Sequence, residues 1–551
     1  MSPPTPAAAR TRLDPAWEPA SAPTLTELVA RRAAADPAGL YFSLFGEPLT
    51  MGRLHQTSLR YAGALAALGL GPGDKVAIIL PTCQEFFFAF FGALAAGCVP
   101  VPLYPTLEPE LKARTFRSAE ARAVITVDWF RDDVEAARAE APGMRHYLTP
   151  DRLETGSPLA RVAPAREDDV CFLQYTSGST SAPRGVVLSH ANVMATVRMM
   201  IETVGVATAD TLVSWLPLYH DMGLIGIAFG ALYMGSPLVL LPPDLKNPRV
   251  WLETLTEHRA ALTVSPDFGY RNCVRNVHDT SGLDLSSLRM AMSGAEPVRL
   301  STIRAFQERF GVGDVFAPAY GLAEATLAVA IWPHGQPIRL DATRSYVSVG
   351  RPCPGVRVEI EGADGRGRAR IGEIGEILVR SAGVMQGYHR DPEATARALR
   401  DGWLHTGDLG LLDAEGYLYI TGRMKDVIIV RGQNVIPADV EEVVDAVPGV
   451  RYSAAVGVES ERTGTQRLHV VAEVRSDTLA PEELSRLAHD ITAEVHRRSG
   501  LRPARVLLVR AQTIPKTSSG KIQRSALATQ VAANRLGDRI LHHTGAAGRE
   551  G

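Results

Sequence analysis

The sequence has few cysteines, and they lie far apart. The chain of 551 residues contains five, and no two of them form a Cys-x-x-Cys pair: Cys83, Cys98, Cys171, Cys273 and Cys353. A disulfide framework or a structural zinc site normally needs closely patterned cysteines. We therefore expect a protein without either, located in a reducing cytoplasm.

Long hydrophobic runs are also missing. The most apolar stretch, Phe86–Val99, is too short to span a bilayer and is followed by Pro100 and Pro102. It is typical of a buried helix that leads into a buried strand. Residues 1–22 are rich in proline and alanine and lack the apolar segment of a secretory signal. They are expected to form a disordered leader, and integral membrane association is not expected.

An excess of charge of either sign is absent. The chain has 58 basic and 60 acidic side chains and a formal net charge of -2. A general nucleic-acid-binding surface normally shows a basic excess, so nucleic acid is not an expected partner. The oligomeric state cannot be read from these features.

Short apolar, β-branched runs alternate with amphipathic segments up to about residue 420. Strands are predicted at residues 75–80, 123–127, 211–216, 237–241 and 261–265, and helices at residues 51–68 and 300–310. Continuous apolar runs joined by helices are typical of parallel sheets that are buried on both faces. The sequence therefore predicts an α/β fold, with a large N-terminal domain of mostly parallel sheets flanked by helices.

The pattern changes after Asp408. Residues 410–423 read as a hairpin, residues 426–432 as a strand, and residues 437–447 and 481–499 as helices. The strand-like runs at 454–460 and 468–474 and the helix at 481–499 predict a small α+β C-terminal domain after this hairpin. We place the large domain at 23–422, a hinge at 423–427, the small domain at 428–543 and a frayed tail at 544–551.

The segment from Gln174 to His190 is the most informative part of the chain. It reads QYTSGSTSAPRGVVLSH and offers several hydroxyls, two glycines and Arg184. Such a loop can present N–H and O–H donors to phosphate oxygens. A Ser/Gly-rich linker is the alternative, although apolar strand-like runs flank the loop closely. The Gly-Lys-Ser/Thr signature of a P-loop is absent, which disfavours a kinase or P-loop ATPase.

Residues 175–185, YTSGSTSAPRG, resemble the phosphate loop of the adenylate-forming (acyl-activating, ANL) enzymes, with departures at Ser181 and Arg184. Five further segments resemble motifs of this family in the same order: SGAEPV at 293–298, AYGLAEAT at 319–326, WLHTGDLG at 403–410, GRMKDVIIVRGQNVIP at 422–437 and PKTSSGKIQR at 515–524. The resemblance extends from about Leu25 to Ala526.

The resemblance implies a role for particular residues. Tyr320 would lie near adenine, Asp408 would accept from the ribose hydroxyls, and Arg423 would contact ribose or phosphate. Glu324 and Thr176 would hold Mg²⁺, and Ala323 stands where the family usually has threonine. The nucleotide site would comprise Thr176, Ser177, Gly178, Ser179, Thr180, Arg184, Gly294, Ala295, Glu296, Ala319, Tyr320, Gly321, Ala323, Asp408, Arg423 and Lys521.

Lys521 would be the catalytic lysine and Lys425 the hinge residue. Each residue has an ordinary alternative: Lys521 as a solvated surface lysine, Asp408 as a turn residue, and Glu324 as a residue that complements a helix dipole. Their joint occurrence in one ordered set favours the catalytic interpretation.

One segment resembles a particular branch of the family. SWLPLYHDMGLIG at 214–226 is similar to fatty acyl-AMP ligases and their close relatives, and His220 would act at the acyl pocket. The glycines of residues 223–235 could leave room for an acyl tunnel or allow tight helix packing. The interval from Glu324 to Gly350 looks too short for the insertion usual in fatty acyl-AMP ligases. The thiol acceptor, coenzyme A or a carrier-protein phosphopantetheine, therefore stays open.

The implied reaction uses ATP and Mg²⁺ to convert a fatty or related carboxylic acid into an acyl-adenylate, which is then transferred to a thiol after rotation of the small domain. A dedicated acyl-CoA synthetase for a specialised biosynthetic acid is one alternative. A degenerate nucleotide-binding scaffold without activity is another. Chain length and pathway are not predicted.

Overall fold

The structure is a computed structural model that describes residues 22–176, 183–205, 207–243, 246–362, 367–430, 433–460, 465–516 and 522–544. No helix within these ranges has both the length and the apolar character needed to cross a membrane. Most of the predicted leader and residues 545–551 of the predicted tail lie outside the described residues. Ala22, which we assigned to the leader, is only 1% exposed and packs in the hydrophobic core.

Helices are found throughout the described chain. The α-helices are α1 (Leu25–Ala35), α2 (Met51–Ala67), α3 (Gln84–Ala95), α4 (Pro109–Ala119), α5 (Arg131–Ala139), α6 (Pro150–Glu154), α7 (His190–Val204), α8 (Gly230–Met234), α9 (Arg249–Glu257), α10 (Asp267–Asn276), α11 (Leu300–Phe310), α12 (Pro392–Ala398), α13 (Pro437–Asp445), α14 (Pro481–Ser499) and α15 (Arg524–Ala532). A π-helix, Met222–Phe229, continues into α8. Short 3₁₀ turns include Ala323–Ala325 and Met424–Asp426.

Within the described residues, the strands belong to six sheets. In chain order they are β1 (Leu40–Leu44), β2 (Glu47–Thr50), β3 (Lys75–Ile79), β4 (Val99–Pro102), β5 (Ala121–Thr126), β6 (His146–Leu148), β7 (Val170–Thr176), β8 (Arg184–Ser189), β9 (Leu212–Ser214), β10 (Leu238–Leu240), β11 (Leu262–Ser265), β12 (Met290–Ser293), β13 (Phe316–Gly321), β14 (Ala328–Ile331), β15 (Arg351–Pro352), β16 (Arg357–Glu361), β17 (Gly375–Arg380), β18 (Gly387–Tyr388), β19 (Leu399–Arg400), β20 (Trp403–Leu412), β21 (Leu418–Arg423), β22 (Ile428–Val430), β23 (Gln433–Val435), β24 (Val450–Ser460), β25 (Thr465–Val474), β26 (Arg505–Val509) and β27 (Ile540–His543).

The largest sheet has nine strands in the order β15-β14-β13-β12-β11-β9-β10-β1-β2. Its centre, from β13 to β1, is parallel, and β14, β15 and β2 are antiparallel additions. Parallel strands all end at one edge of a sheet, where ligands of open α/β folds usually bind. Ser293 and Gly321, the last residues of β12 and β13, lie at this edge.

A second parallel sheet, β4-β3-β5-β6, contributes Ile78 and Ile125 to the same hydrophobic core as the first sheet. The apolar run from Phe86 to Val99 forms most of α3 and leads into β4, as the sequence predicts. All residues from Phe86 to Ala95 are buried, since α3 packs in the interior of the large domain. The α/β class and the mostly parallel large domain are thus confirmed.

The predicted hairpin at residues 410–423 is confirmed as the pairing of β20 with β21, whereas the other pairings of the two antiparallel sheets that complete the large domain were not predicted. One has the order β16-β17-β20-β19, with β21 paired to β20. The other, β18-β8-β7, contains the two strands that flank the predicted phosphate loop. The pairing of β20 with β21 is antiparallel because the short turn between Leu412 and Leu418 returns the chain beside itself.

The small C-terminal domain has its own hydrophobic core. Its first core residue is Ile428, whereas Leu418 belongs to the core of the large domain. A four-stranded sheet, β24-β25-β26-β27, lies between two layers of buried side chains. The 3₁₀ turn at Met424–Asp426 therefore lies between the two cores. Our division of the chain at 423–427 agrees with this arrangement and stays a prediction.

Candidate active site

One cavity of about 630 Å³ opens at the carboxyl edge of the nine-stranded sheet. It brings together predicted site residues that are distant in sequence: Thr176, Arg184, His220, Gly294, Ala295, Ala319, Tyr320, Gly321, Ala323, Glu324, Asp408, Arg423 and Lys425. They come from β7, β8, β13, β20, β21 and the segments that follow β9 and β12. The fold thus assembles one site from these seven parts of the chain.

Asp408 is the best-anchored carboxylate in the cavity. The Tyr320 hydroxyl donates to its Oδ2 at 2.8 Å, and the Arg423 Nε lies 3.0 Å from its Oδ1. Asp408 and Arg423 are also direct neighbours across β20 and β21, so the sheet register itself places the pair. Burial, and then the adjacent Asp408, raises the pKa of Tyr320 far above its usual range, so its hydroxyl stays a donor.

The carboxylate of Asp408 is also the main influence on the charge of Arg423. Asp408 raises the pKa of Arg423, and the side chain remains a cation at the cavity wall. Lys425 lies two residues further along the same wall, and burial followed by the nearby Arg423 lowers its pKa. Arg184, on β8, is a third cation that lines the cavity. Such a grouping of cations suits a ligand that carries several negative charges.

Glu324 lies in the 3₁₀ turn that follows β13 and faces the same cavity. Its Oε1 accepts a hydrogen bond from the Tyr388 hydroxyl at 2.8 Å. Arg184 stacks over the Tyr388 ring, with the guanidinium carbon 5.4 Å from the ring centroid. A cavity-facing carboxylate oxygen is a ligand of the type that Mg²⁺ prefers. Glu324 therefore fits the metal-binding role that the sequence suggested for it.

Thr176 and Arg184 fix the two ends of the predicted phosphate loop. They are paired across β7 and β8, and both line the cavity. A Cβ atom at Gly185 would lie 3.0 Å from the Tyr175 ring, so a larger residue there would push against this ring. Within the loop, Ser177, Gly178, Ser179 and Thr180 lie outside the described residues. The same holds for Lys521.

His220 lies just before the π-helix, at the junction between the polar and apolar parts of the cavity. Its Nδ1 is 2.7 Å from Asp221 Oδ1, and the Met222 N–H donates to Asp221 Oδ1 at 2.7 Å. The side chain of Gln174 holds the preceding turn by donating to Tyr219 O at 2.9 Å. These contacts orient His220 at the cavity wall.

Glu296 is the one described candidate of the nucleotide site that does not line the cavity. Its Oε1 accepts the Phe268 N–H at 2.6 Å, so the carboxylate points away from Gly294 and Ala295. Burial, and then the neighbouring Asp267, raises the pKa of Glu296 to about 7. The Glu296 side chain therefore lies beside α10 and does not line the cavity.

The cavity has an inner arm that the sequence analysis did not locate. This arm is lined by apolar or small residues of α7, β9, the π-helix, α8, β11 and β14 and of the segments next to α8 and β14: Met200, Ile201, Val204, Leu212, Gly226, Ile227, Gly230, Ala231, Ser236, Leu262, Val264, Leu327, Ala328 and Ile331. None of these described residues carries a charge. In sequence they look like ordinary core positions; only the glycines at 226 and 230 hinted at a tunnel.

Family models match both parts of the chain. Residues 29–389 match the AMP-binding enzyme family, and residues 432–526 match the AMP-binding enzyme C-terminal domain. The two matches lie on either side of the segment that we interpret as a hinge.

Curated relatives and solved structures agree with these matches. A 4-hydroxyphenylalkanoate adenylyltransferase of Mycobacterium tuberculosis is 33% identical, over 92% of this chain and 88% of the relative. The medium-chain-fatty-acid–[acyl-carrier-protein] ligase JamA of Moorena producens is 33% identical, over 82% and 85%.

A solved structure from a study of fatty acyl-adenylate ligases of E. coli and L. pneumophila superposes with a TM-score of 0.85 at 30% identity, and covers 94% of this chain and 99% of that one. The chain belongs to the AMP-binding, adenylate-forming enzymes, in the branch of the fatty acyl-AMP ligases and acyl-CoA synthetases.

Proposed function

We propose that this enzyme activates a carboxylic acid with an apolar tail, using ATP, and then transfers the acyl group to a thiol. The observation that carries the proposal is that one cavity joins the Asp408, Tyr320 and Arg423 cluster to an uncharged inner arm. The cluster offers a carboxylate for ribose hydroxyls and cations for phosphates. The arm offers apolar walls for a tail.

In the first step, a carboxylate oxygen of the acid attacks the α-phosphorus of ATP. The bond to the bridging oxygen breaks, pyrophosphate leaves, and an acyl-adenylate forms. Two anions meet in this step, so cations aimed at the α-phosphate would lower the barrier. Arg184 and Arg423 line the cavity, and we assign this role to them and to Lys521.

Mg²⁺ would be held through Glu324, with Thr176 as a second oxygen donor at the cavity. When bound, the ion would neutralise charge on phosphate oxygens. The side chain of Tyr388 donates to one Glu324 oxygen and so fixes the orientation of the carboxylate. Asp221 orients His220 beside the junction of the two parts of the cavity, where the acid's carboxylate would lie.

In the second step, a thiolate attacks the acyl carbon and AMP leaves. We propose that the acceptor is a phosphopantetheine thiol, carried either by coenzyme A or by a carrier protein. Lys425 would be the pivot about which the small domain turns between the two steps, because the 3₁₀ turn around it lies between the two hydrophobic cores. We place this chemistry in the cytoplasm, and the described cysteines are all free thiols.

Mass spectrometry tests the proposal. The full chain is incubated with ATP, Mg²⁺ and a panel of carboxylic acids, with coenzyme A, with a holo carrier protein, or with neither. In the incubation without a thiol acceptor, acyl-AMP is the expected product. In the incubations with coenzyme A or with the carrier protein, acyl-CoA or the acyl-carrier thioester identifies the acceptor. Absence of acyl-AMP with every acid, while ATP still binds, would support the non-catalytic scaffold instead.

A further inference from the structure

The inner arm follows the face of the nine-stranded sheet from its carboxyl edge towards its amino edge. Leu262 and Val264, which alternate on β11, both line it, and Met292 of β12 lies opposite Val264 in the register. Leu212, the first residue of β9, is paired with Leu262 at the far end. The π-helix and α8 accompany this path from Met222 to Ala231.

The sheet register gives the depth of this arm. Leu262 is level with Met290, and Gly294 follows Met290 by four residues at the mouth. At about 3.3 Å per strand residue, the arm runs for about 13 Å from Gly294 to Leu262.

Buried side chains line the far end of the arm. Among the residues that the structure describes there, Val204, Leu212, Leu262 and Ser236 are each between 1% and 6% exposed. Ser236 has the one polar side chain among these four residues, and its hydroxyl donates to Ala207 O at 3.1 Å. The hydroxyl hydrogen of Ser236 is therefore not available to a ligand. The side chains of these four residues suit the methyl end of a hydrocarbon better than a polar group.

We propose that the inner arm measures the acyl chain and selects straight aliphatic acids of about eight to twelve carbons, because zigzag C–C bonds of about 1.5 Å advance about 1.3 Å per carbon. The inference rests on the proposed adenylation and deepens it. Val204 and Gly230 are the two positions that set the limit. Both residues line the cavity: Val204 is the last residue of α7, and Gly230 is the first residue of α8.

Gly230 can be filled without disturbing the backbone. A Cβ atom there would meet only Ile201 Cδ1, at the ordinary contact distance of 3.8 Å. A leucine at this position would enter the arm and shorten it. Alanine at position 204 would remove two methyl groups from the far end and lengthen the arm.

The test measures kcat/KM of the full chain for straight acids from butanoate to hexadecanoate, and for phenylalkanoates, by ATP–pyrophosphate exchange. The wild-type optimum is expected between octanoate and dodecanoate. Gly230→Leu is expected to lower the ratio of decanoate to hexanoate at least about tenfold, the scale of misfitting methylenes. Val204→Ala is expected to move the optimum towards longer acids. Tyr233→Phe, in the same helix but outside the arm, should keep the wild-type ratio.

An optimum at hexadecanoate or at a phenylalkanoate would overturn the inference, as would an unchanged ratio in both arm variants. Because each readout is a ratio between acids, a variant that loses part of its folded fraction still reports selectivity. Val204→Ala keeps the test decisive if Gly230→Leu does not fold. Exchange that is insensitive to chain length would refute only this inference, whereas no exchange with any acid would refute the proposed function.

Discussion

The Arg299 guanidinium lies 2.7 Å from Asp445 Oδ2, and this ion pair joins the large domain to the small one. Arg271 lies 3.6 Å from the same oxygen, and Ser453 donates to the other carboxylate oxygen at 2.7 Å. Both partners are largely buried, with side-chain exposures of 18% for Arg299 and 6% for Asp445. A buried, hydrogen-bonded pair of this kind holds one arrangement of the two domains.

Asp445→Asn should loosen this arrangement. Hydrogen bonds to charged groups contribute about 1.5–3 kcal/mol, and about 1.4 kcal/mol corresponds to a tenfold change. We therefore expect trypsin to cleave after Arg423 or Lys425, both exposed between the domains, about tenfold faster in this variant. Asp490→Asn makes the same change on the exposed side of α14 and serves as the control. Equal cleavage rates in the two variants would mean that Asp445 does not hold the domains together.

Asp408→Asn should weaken use of ATP more than it weakens the fold. The variant replaces a charged acceptor by a neutral amide, so we expect kcat/KM for ATP to fall by about 10–100-fold. Tyr320→Phe removes only the hydroxyl that holds Asp408 and should cost less. Asp413→Asn changes an ion-paired residue in the turn of the same hairpin, outside the cavity. A similar loss in Asp413→Asn would attribute the effect to the hairpin and not to ribose binding.

Glu324→Gln should raise the Mg²⁺ requirement. The amide offers one neutral oxygen in place of a charged pair, and Mg²⁺ prefers carboxylates. The Mg²⁺ concentration for half-maximal exchange is expected to rise at least about tenfold, the usual scale for loss of a metal-site partner. Glu253→Gln breaks a surface ion pair with Arg249 and should leave the requirement unchanged. An unchanged Mg²⁺ dependence in Glu324→Gln would remove this residue from the metal site.

His190 should make the fold sensitive to mild acid. It is buried, its Nδ1 accepts the Leu25 N–H at 3.2 Å, and burial lowers its pKa to about 4. The unfolded chain takes up a proton below about pH 6.5 while the folded one does not, so stability is full above that pH and falls as the pH drops towards 4. Between pH 6.5 and 5 the loss from this group is about 2 kcal/mol.

Urea unfolding of the wild type and of His190→Gln at pH 7, 6 and 5 measures this loss. The variant is expected to be less stable at pH 7 but to lose less stability on acidification. His489→Gln, at an exposed position of α14, controls for the general effect of removing a histidine. Parallel loss of stability in all three proteins would show that His190 does not titrate on unfolding.

The local sequence predicted the ends of some helices to the exact residue. The helices at Leu300–Phe310 and Pro481–Ser499 end where predicted, because Gly311 and Gly500 adopt left-handed conformations that terminate them. Of the antiparallel sheets, only the hairpin at residues 410–423 was predicted; the other pairings, such as Leu378 with His405, join segments that carry no mutual signal in one sequence. The local sequence pattern of a strand does not indicate which other strand it pairs with.

In the candidate site, too, some residues could be predicted from the sequence and others could not. Tyr320, Glu324 and Asp408 lie in contiguous motifs, so their segments could be found before the fold was known. Tyr388 could not be found, since it reaches Glu324 only through the pairing of β18 with β8. Glu296 was chosen from its motif, but its side chain turns to the Phe268 amide. A sequence motif therefore predicts which segment contributes to the site better than it predicts where each side chain of that segment points.

The most direct test of the central claim is ATP–pyrophosphate exchange by the purified full chain with decanoate. The account predicts exchange that needs both Mg²⁺ and the acid and that falls strongly in Asp408→Asn. Lack of exchange with decanoate and with every other acid of the panel, in a protein that still binds ATP, would contradict it.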